Sequence, residues 1–169
     1  TETDAEGRVT KHAYAASTGL ETSVTRDYGT GRLNLITAQT YDAVGNVASV
    51  TDPLSHTTTF TYDAERHRVT STAPSPFIYL TTFLYDKNGR LFETRAATGN
   101  SAQPEQVANT VHSASDKPLY TIDADGNATA FAYDDADRLI QTTDAEGRVS
   151  QQTYTADNRP YETKQVISG

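Results

Sequence analysis

Asp123, Asp125 and Asn127 have a spacing that could bind a hard cation. Their side-chain oxygens recur at alternate positions around Gly126, and such oxygen ligands suit Ca²⁺. However, an EF-hand loop has glycine in its sixth place and helices on both sides, whereas Gly126 is fourth and its flanks predict strands. We therefore expect a turn and no dedicated metal, with calcium at these three residues as the alternative.

The residues that usually perform catalysis lack the necessary spacing. The four histidines form no HExxH motif, and no GxSxG motif, glycine-rich phosphate loop or Ser/His/Asp spacing is present. The chain has no Cys, so it can build neither a disulfide framework nor a thiolate metal site. These observations predict that the chain is not an enzyme and needs no cofactor.

Arginines stand directly before the predicted start of many strands, and this repetition has two interpretations. One is a ladder that binds carboxylates or phosphates. The other, which we favour, is a set of solvated edge residues whose guanidinium groups pair with acids of neighbouring units, each pair contributing about 0.2–1 kcal/mol. The arginines concerned are Arg8, Arg32, Arg68, Arg90, Arg138, Arg148 and Arg159.

Charge and hydropathy restrict the partners of the chain. Its net charge of −8 argues against nucleic acid, which requires a basic surface. No apolar run approaches the roughly 18 residues of a membrane-spanning helix. No signal peptide opens the sequence, and its first residues already lie inside a repeat. We therefore expect a fragment of a larger chain.

A tyrosine recurs along the whole chain and defines its organisation. Most intervals between successive copies are 21 to 27 residues, and one double interval of 48 residues contains His112 as a degenerate copy. A fixed period of this length indicates an array of one supersecondary unit. The repeated tyrosines are Tyr14, Tyr41, Tyr62, Tyr85, Tyr133 and Tyr154.

Each unit contains two turn signals, one before and one after the tyrosine. Asp begins many of these turns, because its side chain can accept a bond from the backbone two residues on, and Gly supplies a left-handed conformation. The pair Asn88-Gly89 predicts a type I′ hairpin turn. The turn glycines are Gly7, Gly45, Gly89, Gly126 and Gly147.

Between the turns, the residues alternate as they do in a β-strand. Thr58, Phe60 and Tyr62 lie two residues apart and therefore share one face, where we expect the rings to form an interior seam between neighbouring units. The sequence thus predicts an all-β fold, an antiparallel strip of consecutive β-hairpins that twists and curves. We expect a single array over residues 1–169, with about seven units of roughly 21–27 residues and a polar loop inserted at 96–110.

The repeated unit resembles the YD-repeat family, also called Rhs repeats. The resemblance is carried by Tyr41-Asp42 through Asn46, Tyr85-Asp86 through Leu91, Asp123 through Asp134, and Asp144 through Tyr154. The family includes bacterial Rhs and wall-associated toxins, the C components of insecticidal toxin complexes, and teneurins. In these proteins the repeats wind a long β-strip into a hollow shell.

The resemblance implies a structural role and a partner. A segment of this kind is expected to form part of a β-shell that encapsulates or presents a toxin or effector passenger domain of the same larger chain, secreted or at the cell surface after bacterial export. The alternative is a module that binds carbohydrate, such as a cell-surface glycan. The aromatic residues available to stack on sugars lie outside the main register and are Tyr79, Tyr120 and Tyr161.

Overall fold

The computed structural model describes residues 1–166, apart from the side chain of Pro104, and contains no helix within them. All regular structure is β-strand, which confirms the predicted fold class. The strands are β1 (Glu2–Thr3), β2 (Val9–Tyr14), β3 (Glu21–Arg26), β4 (Leu35–Tyr41), β5 (Val47–Thr51), β6 (Thr57–Tyr62), β7 (Arg68–Thr72), β8 (Leu80–Tyr85), β9 (Leu91–Asn100), β10 (Gln103–His112), β11 (Pro118–Ile122), β12 (Ala128–Tyr133), β13 (Leu139–Thr143), β14 (Val149–Tyr154) and β15 (Pro160–Val166).

The chain forms two compact units, residues 1–82 and 83–169. In the first unit, β1 to β7 and the start of β8 pair antiparallel in succession. In the second unit, β9 to β15 pair in the same way. The predicted series of consecutive hairpins is therefore present in both units.

The alternation of side chains explains why these segments are strands. In β6, Thr58, Phe60 and Tyr62 are partly buried on one face, whereas Thr59 and Thr61 are exposed on the other. β-branched and aromatic side chains favour this pleated, half-buried setting. On the threonine face, cross-strand hydroxyl pairs add hydrogen bonds, for example Thr61 with Thr70 at 2.6 Å.

The polar loop predicted at 96–110 is wrong, because most of that segment forms the facing halves of the long hairpin β9–β10. Ala96 lies opposite Gln106 and Ala97 opposite Glu105 in the ladder. The ladder shifts register between Gln103 and Glu105, so Pro104, which has no N–H to donate, lies at an irregularity rather than inside regular pairing. The pairing of β9 with β10 has outweighed the weak intrinsic strand preference of the segment.

Each unit is a single layer of sheet, and no described side chain is fully buried. The repeated tyrosines Tyr41, Tyr62, Tyr85, Tyr133 and Tyr154 are partly buried, but Tyr14 is 60% exposed. The expected interior seam is therefore wrong: the repeated rings are at most partly buried, and within residues 1–166 they reach no closed core. A one-layer sheet leaves both of its faces available as surface.

Candidate functional site

The turns of the array share one hydrogen-bonding design, which Asp86 illustrates. Its backbone N–H donates to the carbonyl of Arg90 at 2.9 Å, and the N–H of Gly89 donates to the carbonyl of Asp86 at 2.9 Å. Its Oδ1 accepts from the N–H of Asn88 at 2.8 Å and from that of Arg90 at 3.1 Å. Only Gly89 of the pair Asn88-Gly89 has positive φ, 75°. The predicted type I′ turn is thus wrong, and the loop is a type I turn followed by a left-handed residue.

Within residues 1–166, the same design recurs at ten turns. Eight begin with an Asp whose Oδ1 accepts backbone N–H groups, and two use the hydroxyl of Ser113 or Thr155. The eight aspartates are Asp4, Asp42, Asp52, Asp63, Asp86, Asp123, Asp134 and Asp144. The fourth residue always has positive φ, and it is glycine in five turns and Ser55, Arg66, Asp116, Asp137 or Asn158 in the others. The Asp side chain, rather than glycine, is thus the more constant part of the turn.

The fifth residue of most turns completes the carboxylate's partners. The Nε atoms of Arg8, Arg90, Arg138 and Arg148 donate to Oδ2 of the Asp four residues earlier, at 2.6–2.8 Å. Asn46 and Asn127 use Nδ2, and the Nδ1 atoms of His56 and His67 lie 2.9 and 3.0 Å from the same oxygen. These four arginines therefore pair within their own turns and form no free anion-binding ladder. Arg90 also pairs with an acid of the neighbouring hairpin, since its Nη1 donates to Oδ1 of Asp116 at 3.3 Å.

The turn geometry lowers the pKa of the aspartates. The hydrogen bond from the Arg90 side chain is the largest cause that holds the pKa of Asp86 at about 2, against an ordinary value of 3.8. Side-chain hydrogen bonds from arginine also come first in lowering the pKa of Asp134 and of Asp144. Because the charged form of each carboxylate accepts several N–H donors, the turns are built around ionised aspartate.

Turns of successive hairpins are also joined to each other in the second unit. Arg90 donates through Nη1 to the carbonyl of Ser113 at 2.7 Å. Ser115 donates to Oδ1 of Asp137 at 3.1 Å. Arg138 donates to Oδ1 of Asn158 at 3.2 Å. These bonds link four turns in a row along one margin of the sheet, and no pattern in the sequence predicted them.

The repeated tyrosines have a polar role as well as an apolar one. The hydroxyl of Tyr62 donates to the carbonyl of Val47 at 3.0 Å, and that of Tyr154 donates to the carbonyl of Leu139 at 2.8 Å. In each case the acceptor is the first residue of the preceding strand. The tyrosine thus ties the end of its own strand to the beginning of the strand before it.

Each of these tyrosines also marks a change of register. The ladder shifts between the tyrosine and its preceding residue at Tyr14, Tyr41, Tyr62, Tyr133 and Tyr154. The same shift occurs between Val111 and His112, which confirms that His112 is a degenerate copy of the repeated position. A bulge at this point increases the local twist and bends the strand just before the turn.

The family model named RHS Repeat matches residues 41–75, 119–149 and 133–166, about half of the chain. The chain is a member of the Rhs repeat family. No curated protein matches the chain.

Solved structures show the same fold as this Rhs array. The crystal structure of TcdB2-TccC3-TEV matches with a TM-score of 0.65 and 16% identity over 96% of this chain, and that of TcdB2-TccC3-Cdc42 with 0.64 and 15% over 94%. The Tc holotoxin pore of Photorhabdus luminescens matches with 0.60 and 16% over 96%. The Rhs array spans only about a tenth of these chains, covering 10% or 11% of each.

The calcium candidate occupies an ordinary Rhs turn. Oδ1 of Asp123 accepts the N–H groups of Asp125 and Asn127, both at 2.9 Å, and its Oδ2 accepts Nδ2 of Asn127 at 2.9 Å. Within residues 1–166, no three His, Cys, Asp or Glu side chains gather where they could hold a metal ion. The turn alone explains why Asp and Asn stand at these positions.

The three tyrosines considered for sugar stacking do not form a common platform in the units where they lie. Tyr79 is 38% exposed in the first unit, with its ring centroid 5.7 Å from that of Phe77. In the second unit, Tyr120 lies on β11 and Tyr161 on β15. Four strand spacings separate these strands, or about 19 Å, which is too far for one sugar ring to contact both.

No helix in the described part of the Rhs array could cross a membrane.

Proposed function

We propose that this Rhs array is a wall segment of a β-shell, and that the shell encloses or presents a toxin or effector domain of the same larger chain. The observation that carries the proposal is the absence of a buried side chain among residues 1–166, although strands pair in succession in both units. In such a sheet, the side chains lie at two surfaces and form no core. This arrangement suits a wall with two usable faces.

The comparisons support the same role. The fold is shared with TcdB2-TccC3-Cdc42 and with a Tc holotoxin pore, and this chain corresponds to about a tenth of each. A segment of that size would form one part of a larger protein. We further propose that the complete protein acts outside the producing cell, secreted or at its surface.

The repeated bonds described above suit a wall. The Asp turns stiffen both margins of the sheet, and the tyrosine hydroxyls tie adjacent strands within it. Because each bond joins only neighbouring hairpins, stability is distributed along the array instead of residing in one centre. A barrier needs resistance along its whole length, which this distribution provides.

Limited proteolysis of the full-length protein that contains this segment tests the proposal. We expect the passenger domain to resist protease in the intact protein. The double variant Tyr62→Ala and Tyr154→Ala removes two strand ties, and we expect it to expose the passenger to cleavage. Tyr161→Ala, which alters a ring that is 75% exposed and outside the register, is the matched control.

Two results would contradict the shell. One is a passenger that is cleaved equally fast with and without the Rhs array attached. The other is a double variant whose circular dichroism shows an opened sheet while the passenger stays protected.

A further inference from the structure

One cleft in the first unit brings charged and aliphatic side chains together. It has a volume of about 480 Å³ and lies where the β1–β2 turn, the end of β3 and the β3–β4 loop meet. Arg8, Arg26 and Arg32 line it together with Leu33 and Leu35. The carboxylates of Asp4 and Asp27 also line the cleft, so three guanidinium groups face two carboxylates and two leucines.

Arg26 is the distinctive cation of this cleft. Arg8 is neutralised by Asp4 and Glu6, each 2.8 Å away. Arg32 lies 3.4 Å from Asp27, a weaker contact. Within residues 1–166, Arg26 has no ion pair or side-chain hydrogen bond, so its positive charge is available to an incoming ligand.

The apolar part of the cleft lies beside this charge. Arg26 stands directly opposite Leu35 in the β3–β4 ladder, so the two side chains share one face of the sheet. Leu35 is 43% exposed and Leu33 is 75% exposed. An exposed leucine next to an unpaired guanidinium offers a ligand an aliphatic contact beside a cation that can pair with its carboxylate.

The β3–β4 loop holds these groups in a fixed arrangement. The Asn34 amide side chain accepts from the N–H of Gly29 at 2.9 Å and donates to the carbonyl of Gly29 at 3.0 Å. Oδ2 of Asp27 accepts the N–H of Leu33 at 3.1 Å. A loop ordered before binding loses less conformational entropy when a ligand arrives.

We propose that this cleft binds an acidic peptide segment that carries an aliphatic side chain. A Glu or Asp carboxylate of the peptide pairs with Arg26 and Arg32, and the neighbouring aliphatic group packs on Leu33 and Leu35. No aromatic ring lines the cleft, which disfavours a sugar, since sugars stack on rings. Asp27 also lines it and would repel a phosphate dianion more strongly than a carboxylate. The inference does not depend on the shell proposal.

Fluorescence anisotropy with a fluorescein-labelled peptide of alternating Glu and Leu tests this site. Removing one charge-assisted partner typically costs 1.5–3 kcal/mol, so we expect Arg26→Ala to weaken binding by roughly tenfold or more. Arg26 has no internal side-chain partner, and the fold should therefore survive, as circular dichroism can verify. Leu33→Ser should weaken binding by a smaller factor.

Arg159→Ala is the matched control, because Arg159 is exposed and its side chain also lacks a partner in the described chain. We expect this control to bind the peptide as the parent does, and we expect the peptide with Gln in place of Glu to bind at least tenfold more weakly than the Glu peptide. Equal losses in Arg26→Ala and Arg159→Ala would overturn the proposal. So would equal binding of the Gln and Glu peptides, no binding of the Glu peptide at millimolar concentration, or binding of a sulfated glycan in its place.

Discussion

Removing one oxygen atom from a repeated tyrosine tests the strand tie described above. Tyr62→Phe keeps the aromatic ring and deletes the hydroxyl that donates to the Val47 carbonyl at 3.0 Å. A hydrogen bond of this kind contributes about 1 kcal/mol net, and an acceptor left without a partner adds a cost when water cannot reach it. Tyr62 is only partly buried, so water can partly replace the lost donor. We therefore expect a loss of about 1 kcal/mol in the free energy of unfolding.

Urea and thermal unfolding followed by far-ultraviolet circular dichroism can measure this loss. For a chain of this size, 1 kcal/mol corresponds to a decrease of about 2–4 °C in the melting temperature. Tyr154→Phe deletes the equivalent bond to Leu139, 2.8 Å long, and should cost a similar amount.

Tyr133→Phe is the internal control. Tyr133 occupies the same repeat position, but its hydroxyl has no hydrogen-bond partner within residues 1–166, and burial raises its pKa. We expect this variant to change stability by no more than a few tenths of a kcal/mol. If Tyr62→Phe and Tyr133→Phe were equally stable, the hydroxyl tie would contribute nothing, and the tyrosine would act through its ring alone.

Three further outcomes follow from the turns. Arg90 holds the pKa of Asp86 at about 2 in the folded chain, below its ordinary 3.8, so this turn should contribute stability above pH 4 and lose it progressively as the pH falls toward 2. Urea unfolding at several pH values measures this loss. A free energy of unfolding that stayed constant between pH 4 and pH 2 would show that the aspartates are unpaired. Gly147→Val should destabilise by about 1–3 kcal/mol, because the φ of 78° resists a β-branched side chain, whereas Gly147→Asn should cost less, as Asn158 adopts φ of 63° in an equivalent turn; equal losses in urea unfolding would contradict the turn assignment. Arg90→Lys should lower the melting temperature, since lysine lacks the planar fork whose separated N–H groups reach both Asp86 and the Ser113 carbonyl, and an unchanged value would show that the link between turns is dispensable.

The strands were predictable where local pattern and tertiary pairing agree. Thr58, Phe60 and Tyr62 alternate with exposed threonines, and the structure places them on one face. The segment 96–110 carries no such pattern, since its small and polar residues favour a loop. It became a hairpin because β9 and β10 supply each other's hydrogen bonds, and that partnership cannot be read from either strand alone.

The turns were predictable in place but not in mechanism. Glycine signals located five of them, yet Arg66 and Asp137 reach the same positive φ without glycine. Their turns fold alike because Asp63 and Asp134 capture the same backbone N–H groups. This is local chemistry that the repeated aspartate already encodes. The bonds between turns, such as Ser115 to Asp137, join residues from different hairpins and depend on register. No spacing rule within one unit could have revealed them.

No side chain in the described part of the chain is fully buried, and this explains why the repeat tolerates degenerate copies. In a globular domain, replacing a core tyrosine by histidine would leave a cavity, and this cavity would lower the free energy of unfolding of the whole domain. Here His112 stands at the repeated position, and its hairpin still makes the characteristic register shift. The neighbouring turn keeps its shape through Ser113, whose hydroxyl accepts the N–H of Lys117 at 3.0 Å. Since each hairpin is held mainly by bonds to the next one, a weak copy reduces stability locally and leaves the pairing of the other strands intact.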